Sequence, residues 1–222
     1  MGDENLDGFI LRNEEFISID DAERMYEQAR IWFKIPQEIT AMMFELACEC
    51  AAKRKYAGAQ AYFQIALDTS VDDDTKACCL LSIGQLKEQQ GDYGAALDWY
   101  RKAFDLQPGA DETWYFLHNN LGYCLNHVNR YKEAMVYCRS AISIDPDRHN
   151  AHKNLDVALD GLGRFNEAAQ SHLAAAELCP VDPRALGLLV DLLDGHPEIG
   201  ANDPDLLQRI ESVRRAVVNF LN

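Results

Sequence analysis

The 222 residues carry 21 Lys and Arg against 36 Asp and Glu, a formal net charge of −15, with 48% hydrophobic and 26% charged residues. That balance belongs to a folded chain with a core of its own, not to a disordered one. It leaves no basic stripe for nucleic acid or an anionic membrane surface, and no apolar run approaches the roughly 20 residues of a membrane span.

The first residues, Met1 to Asp7, are acidic and hold no apolar stretch of signal-peptide length. No secretory leader is expected there, and the expected location is cytoplasmic. Leu6 stands where a myristoylation motif requires Ser or Thr, so Gly2 is not expected to be lipidated. Residues 1–18 carry little pattern and are expected to be partly disordered. Acidic pairs such as Glu14-Glu15 and Asp20-Asp21 read as charge at helix N-termini, where the helix dipole favours it. A helix is predicted from Asp20, with Ala22, Tyr26 and Ala29 on one side, ending before Pro36.

A repeat then takes over. Tyr56-Ala57-Gly58-Ala59 leads through Phe63 to Ala66, and Tyr93-Gly94-Ala95-Ala96 through Tyr100 and Ala103 to Pro108. Tyr131-Lys132-Glu133-Ala134 leads to Ala141 and Pro146, and Phe165-Asn166-Glu167-Ala168 to Ala175 and Pro180. The leading aromatics are 37, 38 and 34 residues apart. Before each turn a second pattern recurs, as Leu46-Ala47, Ile83-Gly84, Leu121-Gly122 and Leu155-Asp156. Apolar residues fall at helical spacing on both sides of each turn, so each unit is predicted as two helices joined by a sharp turn that Gly91 and Gly163 suit. The closing prolines forbid extension of the second helix. The first unit closes on Val71 instead, followed by what reads as an acidic turn, Asp72-Asp73-Asp74.

After the repeats, Asp182-Pro183 starts a helix with Leu186, Leu189 and Leu193 on its apolar side. A loose turn is expected over residues 195–200. Asp203-Pro204 then signals a last helix. Its stripe of Leu206, Ile210, Val213, Val217 and Phe220 is expected to pack on the preceding pair, with Arg209, Arg214 and Arg215 off the stripe.

This pattern resembles the tetratricopeptide repeat family, whose 34-residue unit reads W-x2-L-G-x2-Y, then Ala, an aromatic, Ala and Pro. Both Ala places are filled in every unit: Ala59 and Ala66, Ala96 and Ala103, Ala134 and Ala141, Ala168 and Ala175. The Trp place holds Met43, Leu80, His118 and His152, and the aromatic place of the second helix holds Cys138 and His172 in the last two units. The resemblance implies an all-α fold, a right-handed solenoid of stacked helix-turn-helix units with capping helices at both ends. It divides the chain into an acidic segment and half-repeat cap (1–39), four units (about 40–73, 77–110, 115–148 and 149–182) and a degenerate fifth repeat with a capping helix (183–222).

The same resemblance implies that the first helices line a concave groove that binds an extended peptide or a partner's helix. The side chains it puts there are Leu81, Ser82 and Gln85 in the second unit and Phe116, Asn119, Asn120, Tyr123 and His127 in the third. The fourth supplies Asn150, Lys153, Asn154 and Val157, and the first would add Phe44 and Cys48. An amide offers both donor and acceptor to a peptide backbone. Asn120 and Asn154, one repeat apart, resemble the asparagine ladder of protein O-glycosyltransferases, but the ladder stops at Ser82 and Glu45. Two readings stand side by side: rungs for a ligand, or bonds to neighbouring helices. Family members that bind chaperone tails use a clamp of Lys, Asn, Asn, Lys and Arg. The matching places here hold Leu81, Gln85, Asn120, Asn150 and Asn154 or, one unit earlier, Phe44, Cys48, Ser82, Phe116 and Asn120, so such tails are not expected to bind.

Catalytic motifs are absent from the sequence: no phosphate-binding glycine loop, zinc-protease helix or nucleophile elbow occurs. His149 and His152 share a helix and could meet a metal with Asp147 or Asp156, but read better as a solvated and a packing histidine. The seven cysteines, with Cys48 and Cys50 spaced C-x-C and Cys78-Cys79 adjacent, read as reduced thiols used as small hydrophobes. The chain is thus expected to be a non-enzymatic adaptor without catalytic residues, cofactor or metal. Its expected partner is another protein, through a neutral or basic peptide or helix, and not nucleic acid or membrane. A self-assembling scaffold with weak self-association, or a chaperone for a secreted or assembled subunit, is the alternative expectation.

Overall fold

The computed structural model describes residues 18–33, 35–180 and 182–221, with backbone alone for 183–185, 200–202 and 217–221. Among the described residues every regular element is an α-helix. In chain order these are α1 (Ile19–Trp32), α2 (Pro36–Ala52), α3 (Tyr56–Thr69), α4 (Asp73–Gln89), α5 (Tyr93–Asp105) and α6 (Asp111–His127). They continue as α7 (Tyr131–Ile144), α8 (His149–Gly161), α9 (Phe165–Leu178), α10 (Pro183–Gly195), α11 (Pro197–Asn202) and α12 (Pro204–Leu221). The chain divides into two compact units, Met1–Thr113 and Trp114–Asn222.

The turn inside each helix pair is built the same way four times. Arg54, Gly91, Asn129 and Gly163 hold φ of 57°, 78°, 58° and 69°, and they stand at the 37-, 38- and 34-residue spacing of the aromatics that follow them. The next residue then donates its N–H back to a carbonyl of the finished helix, as in Lys55 to Cys50 (2.8 Å), Asp92 to Lys87, Arg130 to Leu125 and Arg164 to Leu159 (each 2.9 Å). A left-handed residue followed by this bond satisfies carbonyls that the helix end would otherwise leave bare. Glycine takes that conformation freely, and asparagine is tolerated there. Arg54 takes it at a cost.

Helix starts follow the local chemistry of their first residues. Ser18 and Asp21 form a reciprocal cap at the start of α1, so the helix begins one residue before the predicted Asp20. The remainder of the acidic segment expected to be disordered, including Glu14-Glu15, lies outside the described residues. Asp72-Asp73-Asp74 is not a free turn. Asp72 caps α4 through the Thr75 N–H (2.7 Å), and Asp73 and Asp74 occupy its first turn, where negative charge is favoured. The segment 195–200 is likewise not a loose turn. Pro197 starts the short helix α11, which buries Ile199.

In the first unit α1 packs on α2 and α3, α3 on α4, and α4 on α5. Ala22, Met25 and Ala29 of α1 join Met42, Met43, Leu46, Tyr62 and Phe63 in one core. In the second unit α7 to α10 pack in succession, and α12 lies against α9 and α10. Leu206, Ile210 and Val213 are buried there beside Leu173, Ala176, Leu189 and Ile199, as the stripe predicts; the side chains of Val217 and Phe220 lie outside the described residues. All eight repeat alanines have no accessible surface.

The tightest approach is between the paired helices. A Cβ on Gly84 would overlap the Tyr100 ring, which is fully buried with its hydroxyl donating to Glu88 (2.8 Å). A Cβ on Gly122 would meet Cys138 Sγ. Small residues therefore set the distance between helices, and packed interiors resist any added volume. Ala103→Leu, in a site with no free surface, is expected to destabilise the chain by ~1–3 kcal/mol. Urea unfolding should show it as a lower midpoint at unchanged slope; an unchanged midpoint would mean that the helices do not meet at this alanine.

Candidate functional site

Three of the predicted groove residues lie in the first unit, on α4. Leu81 is buried, while Ser82 and Gln85 are half-buried. The others lie in the second unit on α6 and α8. Phe116, Asn119 and Tyr123 are half-buried and His127 is exposed; on α8, Lys153 and Asn154 are half-buried, and Asn150 and Val157 are exposed.

Within the second unit Asn119, Asn120 and Asn154 among them are joined by hydrogen bonds. Asn154 Nδ2 donates to Asn119 Oδ1 (2.9 Å) and more weakly to the Asn119 carbonyl (3.4 Å). Asn119 Nδ2 donates to Asn120 Oδ1 (3.0 Å), and Asn126 Nδ2 donates to the Asn154 carbonyl (2.7 Å). Four asparagines thus join α6 to α8. Asn120 is only 7% exposed, and its Nδ2 is buried without a partner among the described residues. Of the two readings, bonds to neighbouring helices are what Asn154 makes, to Asn119 across α6 and α8. Asn126 escaped the sequence reading. Its seven-residue spacing from Asn119 puts it on the same helical stripe, and that was the available signal.

The aromatic side chains are held in place. Tyr123 and His127 pack edge to face at 4.5 Å, and burial pushes the His127 pKa down. Phe116 packs edge to face on Tyr115 at 5.5 Å, with the Arg148 guanidinium over both rings. Lys153, the one cation among the predicted groove residues, pairs with Asp182 at 3.0 Å.

Asp156 meets His172 and is not grouped with His149 and His152 to hold a metal among the described residues. It is buried at the place that Gly84 and Gly122 fill in the earlier units, with Oδ2 2.7 Å from His172 Nδ1. His172 in turn fills the place of Tyr100 and Cys138, and each of these pairs is 16 residues apart. A buried Asp–His pair therefore replaces the contact of glycine with a larger side chain. Burial raises the Asp156 pKa, opposed by the His172 hydrogen bond. His152 Nε2 lies 3.0 Å from the Pro146 carbonyl. Among the described residues no three His, Cys, Asp or Glu side chains are grouped to hold a metal. All seven cysteines are free thiols, and burial pushes those of Cys79 and Cys138 up to about 12, far from the thiolate that reactivity requires.

Models of the tetratricopeptide repeat match residues 79–109 and 115–148. The chain is 29% identical over 102 residues to the peroxisomal targeting signal receptor of Kluyveromyces lactis, a stretch that is 46% of this chain and 17% of that protein. This chain thus spans under a fifth of that receptor's length. Among solved structures, it is similar to BtubC (BKLC) from P. vanneervenii, with a TM-score of 0.68 at 18% identity over 90% of each chain. It is also similar to the first TPR of Spaghetti (RPAP3) bound to the HSP90 peptide SRMEEVD, with a TM-score of 0.50 at 25% identity over 56% of this chain and 98% of that one.

Removing one member of the buried pair leaves the other buried without its polar partner. Asp156→Gly alone is expected to cost ~1–3 kcal/mol, whereas Asp156→Gly/His172→Phe, which restores a glycine–aromatic contact, should recover most of that loss. Urea unfolding of the single and double variants at neutral pH checks this. Additive losses would show that the two residues do not act as a pair.

Proposed function

Because the chain belongs to the tetratricopeptide-repeat family, we propose that it is a non-enzymatic protein-interaction adaptor whose first helices hold an extended peptide or a partner's helix. The observation that carries this reading is an amide network under an open face. Asn119, Asn120, Asn126 and Asn154 tie α6 to α8, while His127, Asn150 and Val157 remain exposed above them. The network fixes the spacing of the two helices before any partner arrives, which lowers the ordering cost of binding. The face combines a 44% exposed Val157 with amides and the Tyr123–His127 pair, a mixture suited to an extended backbone with small apolar side chains.

Charge narrows the partner. The net charge of −15 favours a neutral or basic segment and raises its encounter rate. Spaghetti holds an acidic HSP90 peptide, but the matching places here carry no cation, and Lys153 outside them is paired with Asp182. We therefore assign no role in binding acidic chaperone tails. No helix among the described residues is long and apolar enough to cross a membrane; a cytoplasmic location is part of the proposal.

The test compares the whole chain with Tyr123→Ala/His127→Ala/Val157→Glu and with Val136→Glu. Val136 is 58% exposed on the second helix α7. Partners captured from native lysate are quantified by mass spectrometry, and folding is checked by thermal melting. A partner lost at least tenfold with the triple variant and retained by Val136→Glu is the expected result. A partner retained by the triple variant and lost with Val136→Glu would move the site to the second helices.

A further inference from the structure

Within the first unit a cavity of about 470 Å³ opens between the N-terminal halves of α2 and α4 and residues 110–113. That is within the ~300–1,000 Å³ of ordinary ligand pockets, and more than one side chain fits it. Its walls include Ala41 and Phe44 of α2 and Val71 of the α3–α4 link, an aliphatic side chain left 65% exposed. Phe44 and Glu45 stand at the repeat places that Leu81 and Ser82 hold in the next pair, so the cavity occupies the partner-facing register of the first helices.

Three carboxylates line this cavity, from Glu45, Asp72 and Asp74, and no Lys, Arg or His is among its lining residues. Two of the three are fixed by the fold. Asp72 accepts from the Thr75 N–H (2.7 Å) and the Thr75 hydroxyl (2.9 Å), and these bonds hold its carboxyl below the usual range. Asp74 Oδ1 accepts from the Gly109 N–H at 2.6 Å. Lys76, the cation next along α4, pairs with Asp73 at 3.2 Å and does not line the cavity. Negative charge therefore gathers around a space that no cation lines, although the Lys76 charge acts on Asp72 from outside it. Among the described residues no three His, Cys, Asp or Glu side chains come together to hold a metal ion, here or elsewhere.

We infer that this cavity binds a Lys or Arg side chain of an extended peptide, with an apolar neighbour of that residue against Phe44 and Val71. The inference rests on the adaptor reading and gives it a ligand chemistry. A guanidinium or ammonium group supplies the missing charge, and its bonds to fixed carboxylates are charge-assisted. The aliphatic stem of either side chain lies along apolar walls while its head reaches the rim.

The test pans a phage-displayed library of random seven-residue peptides against the immobilised full chain. The most enriched sequence is then made as a fluorescent peptide for anisotropy titration. The expected result is enrichment of Lys or Arg beside an apolar residue, with affinity falling at least tenfold with Glu45→Lys and again on raising salt from 50 to 300 mM. Glu45 is exposed, so that variant is expected to fold, and thermal melting checks it. Asp72→Asn keeps the helix cap, since Asn caps as well as Asp, and should weaken binding about threefold with only a small drop in melting temperature from the lost charge. Enriched peptides without Lys or Arg, or cationic ones whose affinity is unmoved by Glu45→Lys, would overturn this inference and leave the adaptor reading standing. A library that yields no enriched peptide would overturn both.

Discussion

The distance between paired helices is the constraint on which everything else depends. It is set by small residues: eight alanines with no accessible surface, and glycines at 84 and 122 whose Cβ would overlap Tyr100 and Cys138. Helices that approach this closely bury their shared face completely, leaving each first helix its opposite face. The turn between them is equally constrained, because the chain must reverse through one left-handed residue. Arg54 and Asn129 accept that conformation where Gly91 and Gly163 take it freely. Repetition of one approach distance and one turn is what makes the units stack.

Much of this was legible because each constraint selects a residue type. Alanine at two fixed places, glycine or a substitute at the turn, an aromatic two residues later and a closing proline all leave a periodic trace. What escaped the sequence was set by partners distant along the chain or by local capping. The pairing of Asp156 with His172 reads as two unrelated departures until the 16-residue offset of Gly84 and Tyr100 is laid over it. The acidic run 72–74 has a turn's composition, yet Asp72 caps a helix and its neighbours enter the first turn. Pro197 likewise began a helix where glycines suggested only a loop.

The candidate site was legible in register but not in role. Spacing put Asn119, Asn120 and Asn154 on one face, but not which of them would be buried or what each would bond. Asn120 is buried, Asn154 bonds across to Asn119, and the unforeseen Asn126 bonds to the Asn154 carbonyl. These amides hold two helices at a fixed spacing. In the proposed function, contact with a partner falls to the exposed side chains His127, Asn150 and Val157. Charge divides the surface further: the second unit's one groove cation is paired, while the first unit gathers three carboxylates around an apolar cavity.

The central claim is that the first helix of each pair meets the partner while the second helix carries packing. Amide hydrogen exchange of the chain, alone and bound to its captured partner, tests this directly. The account predicts slowed exchange on binding in α2, α4, α6 and α8, with α3, α5, α7 and α9 unchanged. Slowing confined to α3, α5, α7 and α9 would contradict it.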